Sequence, residues 1–189
     1  MKRREILKYT ALSTGAALSA PLVSSLLIGC NAEVASNTDD YALQFFDNQQ
    51  FALIKDLIDT ILPKTDSPSA TEVGVHRIID HMVGAVYNDE YKEEYRAGFA
   101  LLTNFFDSNG GFLEMDEEKK LSTLRGLGNS EDENLAGTKN AFVALKQQTV
   151  AYYLTTEEIG TKFLNYLPVP GEYESCISVE ETGGKLWAI

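Results

Sequence analysis

Asp47-Asn-Gln-Gln-Phe51-Ala-Leu-Ile54-Lys-Asp56-Leu57-Ile58-Asp59-Thr-Ile61-Leu62-Pro63 sets how the rest of the chain is read. Phe51, Ile54, Leu57, Ile58, Ile61 and Leu62 recur at helical spacing and share one face. Asp47 can accept from the first free backbone N–H groups, and Pro63 stops the helix. The turn Lys64-Thr-Asp66-Ser-Pro68 follows, and Ser69 and Glu72 then stand at capping-box spacing. The next apolar face is Val75, Ile78, Ile79, Met82, Val83 and Val86. A third face, Tyr91, Tyr95, Phe99, Leu102, Phe105 and Phe106, runs to the breaker Asp107-Ser-Asn-Gly-Gly111. Asp116 is placed to cap a short helix through Leu121 and Leu124, ended by Gly126 and Gly128. A long segment from Asn134 to Leu154 carries Leu135, Phe142, Leu145, Val150, Tyr153 and Leu154. Thr155 and Glu158 repeat the capping-box spacing before Ile159, Phe163 and Leu167. No segment alternates cleanly enough to predict a strand, so an all-α bundle of five or six helices is expected over 47–167. Residues 168–189 lose the periodicity and form an expected irregular C-terminal arm.

The chain of 189 residues has room for one domain and carries a net charge of −12. Residues 1–29 hold Lys2, Arg3, Arg4 and Lys8 against Glu5, so the remainder is more acidic than the total shows. A body of that sign lacks the Lys and Arg clusters that phosphate binding needs, and an anionic membrane surface would repel it. The basic start and the apolar run Tyr9–Gly29 read as a secretory signal. Arg3-Arg4-x-Ile-Leu-Lys resembles the twin-arginine consensus, and Leu27-Ile28-Gly29-Cys30 resembles a bacterial lipobox with Cys30 as the lipidated residue. An uncleaved membrane anchor is the alternative, and its several serines and Pro21 make it a poor one. An ordinary secretory route would need only the basic start and the apolar run. Residues 30–46 are then the lipidated cysteine and its tether. The expected location is the periplasmic side of the bacterial envelope, anchored by lipid to a membrane. With Cys30 lipidated, Cys176 is left alone, as a buried thiol or as half of an intermolecular disulfide.

A search for chemistry leaves no catalytic constellation. His76 and His81 stand about 140° apart on a helix and cannot share one metal, so they read as surface histidines or as supporting ones behind a site. Asp107-Ser-Asn109-Gly110 fails both calcium-loop registers, because Phe105 or Phe112 falls on an essential position. Gly126-Leu-Gly128 completes no dinucleotide fingerprint, and no strand is expected before it. Asp56 and Asp59, with Asp80 nearby, could do acid–base work, but an exposed acidic helix face accounts for them more simply. No catalytic, cofactor-binding or metal-binding residue is therefore expected. What remains is the arm, with Tyr173, Cys176, Ile177, Leu186 and Trp187. Exposed aromatic groups call for a partner to cover them, unless the arm folds back on its own bundle.

Leu57-Ile-Asp59-Thr-Ile-Leu-Pro63-Lys-Thr-Asp66-Ser-Pro68-Ser-Ala70-Thr-Glu-Val-Gly-Val75 resembles the start of gluconate 2-dehydrogenase subunit 3 proteins. Tyr166-Leu-Pro-Val-Pro170-Gly171-Glu-Tyr173-Glu-Ser-Cys176 resembles their closing proline–glycine–x–tyrosine–x–x–cysteine segment, and Trp187 stands where such tails often end in an aromatic residue. The lipobox cysteine and Ser67-Pro68-Ser69, in place of a proline–glycine turn, depart from the family pattern. The resemblance implies a small, non-catalytic subunit of a membrane-bound sugar or sugar-acid dehydrogenase. Its large partner would be a flavoprotein of the glucose–methanol–choline class holding FAD, often joined by a cytochrome c subunit with its haem. The small subunit would support export, stability and membrane attachment, with Tyr173, Cys176 and Trp187 at the partner interface. Two other readings compete: a free-standing envelope lipoprotein that binds a small ligand in an enclosed apolar pocket, and an autonomous enzyme built on the three aspartates.

Overall fold

The computed structural model describes residues 41–169, 171–172 and 176–188. Arg3, Arg4, Cys30 and Tyr173 lie outside the described residues. The chain divides into two units, residues 1–42 and 43–189, and the described helices belong to the second. They are α1 (Asn48–Ile61), α2 (Val75–His81), α3 (Asp89–Ser108), α4 (Glu117–Asn129), α5 (Ala136–Thr155) and α6 (Glu157–Lys162). The expected all-α bundle is what forms, and among the described residues there is no strand, only an isolated bridge between Asn165 and Trp187.

Helix α1 is capped as its sequence dictates. Asp47 Oδ1 accepts from Gln50 N–H (2.8 Å), and Gln50 Oε1 accepts in return from Asp47 N–H (3.1 Å). Ile54, Leu57 and Ile58 are fully buried. The Ser69–Glu72 box also forms, with Ser69 N–H donating to Glu72 Oε2 (2.9 Å). It caps only a turn, because Gly74 adopts the left-handed region (φ 81°) and α2 proper begins at Val75. Beyond His81 the chain widens into one π-turn, Met82–Val86, closed by Tyr87 N–H on Met82 O (2.9 Å). That turn swings Val86 off the expected core face and leaves it exposed. Helix α4 runs through both Gly126 and Gly128 instead of ending there. A methyl group at Gly128 would sit 3.4 Å from the Phe142 ring, so that glycine serves a close helix approach. The expected Thr155 box is absent. Thr155 Oγ1 and Thr156 Oγ1 instead donate back to Tyr152 O and Tyr153 O (2.8 Å each).

Helix α5 is the hub, and every other α-helix packs on it. Thr138, Phe142, Leu145, Thr149 and Tyr153 form its buried stripe. Its antiparallel neighbour is α3: a Cβ at Gly98 would lie 3.2 Å from Ala141, and one at Gly137 would lie 3.1 Å from Leu101. Tyr153 Oη donates to Pro68 O (2.7 Å) and meets Ser67 Oγ at 3.0 Å, which pins the α1–α2 turn to the hub. Asp59 takes Thr71 N–H (2.8 Å) and Thr71 Oγ1 on the other side of that turn.

Asp80 is fully buried. Its carboxylate accepts three backbone N–H groups in a row, from Gln44 (2.7 Å), Phe45 (3.0 Å) and Phe46 (2.9 Å). Residues 44–46, the end of the expected tether, are thereby strapped into the bundle, with Phe46 buried against Phe99. Arg96 lies 5.1 Å from the centre of the Phe45 ring and covers the strap from outside. Gly84 in the π-turn lets the strap pass, since a Cβ there would fall 2.7 Å from the backbone carbon of Gln44.

Two predictions follow from this packing. Asp80→Asn places an amide donor against backbone donors, and should cost roughly 2–4 kcal/mol in urea unfolding. Buried His76, beside the Phe51 ring, has its pKa lowered to about 4 by burial first, then by Lys55 and Arg77. The unfolded chain binds that proton near pH 6.5 and the folded chain does not, so this contribution is intact above pH 6.5 and is lost as pH falls toward 4. Urea titrations should show a loss on the order of 2 kcal/mol across that window, flattened in His76→Gln.

Candidate partner interface

The three aspartates are not an exposed acidic face, and they share no site. Asp80 serves the strap and Asp59 serves Thr71. Asp56 pairs with Lys120 of α4, whose Nζ lies 2.9 and 2.8 Å from its two oxygens. Lys120 is itself buried, 5.8 Å from the centre of the Phe112 ring, so this pair ties α1 to α4. Each carboxylate is occupied by a structural partner that a substrate would have to displace. Of the histidines, His76 is buried rather than exposed. Among the described residues no group of three or more His, Cys, Asp or Glu side chains could hold a metal ion. No described helix is long and apolar enough to cross a membrane.

A groove of about 490 Å³ opens between α3 and α5, lined by Tyr91, Tyr95, Gly98, Leu101, Ala141 and Ala144. It is open along one side rather than enclosed. At its Tyr91 end the rings of Tyr87 and Tyr91 lie 4.4 Å apart, and Tyr87 Oη meets Tyr152 Oη at 2.7 Å. Burial, then the hydrogen bond with Tyr87, pushes the Tyr152 phenol up to about 12. The buried Tyr95 hydroxyl has no hydrogen-bond partner among the described residues, and burial raises its pKa further. Tyr95 and Tyr152 therefore hold their protons at neutral pH, and the Tyr87–Tyr152 contact is a hydrogen bond between phenols.

The arm is organised by one residue that sequence reasoning passed over. Asn165 N–H donates to Leu186 O (2.8 Å), and Asn165 O accepts from Ala188 N–H (2.9 Å). Its side-chain amide donates to Thr182 O (2.9 Å) and Lys185 O (3.0 Å). Between these anchors Ser178 and Glu181 cap a turn reciprocally, with Ser178 N–H on Glu181 Oε2 at 2.8 Å and Glu181 N–H on Ser178 Oγ at 3.2 Å. Gly183 and Gly184 end that turn in the left-handed region, with Gly184 N–H on Val179 O (2.9 Å). A lone Asn carries no periodic signal, which is why its role was not legible; only the Ser178–Glu181 spacing and the glycine pair hinted at order.

The backbone of the arm thus folds back, yet its apolar side chains do not. Leu186 is 74% exposed and Trp187 49%, and Tyr166, Leu167, Val169 and Val179 are all exposed. Cys176 is an exposed free thiol rather than a buried one. So Cys176 and Trp187 lie on one arm that leaves a run of large apolar groups facing water, the form a partner-covered surface takes. Asn165→Ala should release this arm at little cost to the bundle. Hydrogen exchange at the Ala188 amide should rise, with less than about 1 kcal/mol lost in global unfolding.

A family model described as gluconate 2-dehydrogenase subunit 3 matches residues 48–171, from the first residue of α1 to the start of the arm. No curated protein and no solved structure matches the chain. The match covers well over half of the sequence and includes every helix of the bundle, and so the chain belongs to the gluconate 2-dehydrogenase subunit 3 family.

Proposed function

We propose that this chain is the non-catalytic small subunit of a membrane-associated, FAD-dependent sugar or sugar-acid dehydrogenase of the glucose–methanol–choline class. Family membership carries this reading. The exposed apolar arm supports it, because a helper subunit needs a surface that only a partner completes. The structural use of Asp56, Asp59 and Asp80 adds support, since the side chains best suited to acid–base work are already bound.

In this assignment FAD, and haem c where a cytochrome subunit is present, belong to the partner chains. Arg3 and Arg4 direct export, Cys30 carries the lipid that holds the complex at the periplasmic face, and Tyr173, Cys176 and Trp187 lie at the flavoprotein contact. Export of an already folded complex by the twin-arginine route would let the flavoprotein load its cofactor beforehand. A second reading, a free-standing lipoprotein with a small ligand, draws on the groove between α3 and α5.

One purification separates the two. The tagged full-length chain, taken from its native membrane in mild detergent, should bring down a larger chain with flavin absorbance bands. A colourless monomer, with the flavoprotein expressed in the same cells, favours the ligand-binding lipoprotein. Within the complex, Cys176→Ser should abolish a reducible high-mass band on non-reducing gels; an unchanged complex with no such band removes the disulfide and leaves the subunit assignment standing.

A further inference from the structure

The short bridge of the arm has a free edge. Along an extended strand, the N–H and C=O of successive residues point to opposite sides. Leu186 O and Ala188 N–H both bond inward to Asn165. The N–H and C=O of Trp187, between them, therefore point outward, away from the bundle-side segment. No described hydrogen bond reaches either group.

Proteins that keep such an edge single protect it with charges or proline along the strand itself. Here the residues at the edge are Leu186 and Trp187, with exposed Val179 in the neighbouring turn. The charged residues of this part of the chain are unbalanced. Glu172, Glu180 and Glu181 belong to the arm, and Glu157 and Glu158 to helix α6. Of the cations, Lys162 is paired with Glu158 (2.9 Å), and Lys185 Nζ rests on Lys162 O (3.4 Å). The surface is an apolar strand edge on an acidic stretch of the chain.

Resting on the accessory-subunit reading, the geometry points to strand addition. An extended segment of the flavoprotein pairs its backbone with Trp187, sets one apolar side chain against Leu186 on one face and another against Trp187 on the opposite face, and carries Lys or Arg on its flanks to meet the glutamates. Backbone pairing gives the register, and the acidic stretch selects a basic partner segment over an acidic one.

The test uses the full-length chain, alone and in the detergent-solubilised complex with the flavin-containing chain that co-purifies with it. Hydrogen exchange at the Trp187 amide should slow by about tenfold or more in the complex. Glu172→Lys with Glu180→Lys, neither of whose side chains makes a described hydrogen bond, should weaken the complex by about tenfold at low salt, and raised salt should weaken the wild-type complex in the same direction. Trp187→Ala tests the side chain while keeping the amide, and its Trp187-position amide should remain protected in whatever complex survives.

An unprotected Trp187 amide, in a complex that deletion of residues 176–189 dissociates, overturns strand addition while the arm stays the interface. Tighter binding by the charge-reversed chain overturns the basic-segment assignment. A Trp187 amide already protected in a homodimer of the isolated chain assigns the edge to a second copy. Absence of any flavoprotein in the purification overturns this inference together with the reading it rests on.

Discussion

A carboxylate with no access to water has to be met by donors, and Asp80 is met by the backbone of residues 44–46. Three N–H groups converging on one buried anion make a short strap that behaves like an extra packed element. Its position depends on two further local features. The π-turn after His81 shifts the chain by one residue, and Gly84 within it removes the side chain that would strike Gln44. The strap then carries Phe45 and Phe46 onto Tyr95 and Phe99 of α3. Through Asp80 the entry of the chain is fastened to α2 and α3 together.

The bundle is assembled around α5, and the polar contacts on it are placed where helices change direction. Tyr153 holds the turn between α1 and α2, while Asp59 and Thr71 close that turn from the α1 side. Asp56 and Lys120 join α1 to α4. Buried ion pairs and carboxylates of this kind give little net stability over apolar packing, but removing one partner is costly, so they fix which turn lies where. The acidic residues best placed for chemistry are spent on architecture. That use of the carboxylates supports the proposal that this family member acts through its surface.

The surface differs from the core in what organises it. The core is held by apolar burial in a long stripe on α5, whereas the arm is held mostly by Asn165, through two backbone and two side-chain hydrogen bonds. A backbone can be ordered by so few bonds while its side chains stay outside. The arm therefore keeps a defined shape and still presents Leu186 and Trp187 to water. A pre-shaped apolar arm loses less entropy on docking than a disordered one.

The sequence by itself determined the all-α class, the start and stop of α1, the span of α3 and α5, and the family, because periodicity, capping and breaker residues act within a few positions. It also marked the arm as unlike the bundle, since the apolar period of Phe163 and Leu167 fails beyond Pro168. Only the tertiary structure decided what Asp80, Asp56, Asp59 and His76 do. Read locally they were surface groups; folded, each meets a residue or backbone segment distant in sequence. The same holds for Asn165, whose partners lie 17 and 20 residues away on the side chain alone. Helix periodicity reports which face is apolar, but it carries no record of which distant donor will satisfy a polar group. That information exists only once α5 has brought the other helices together.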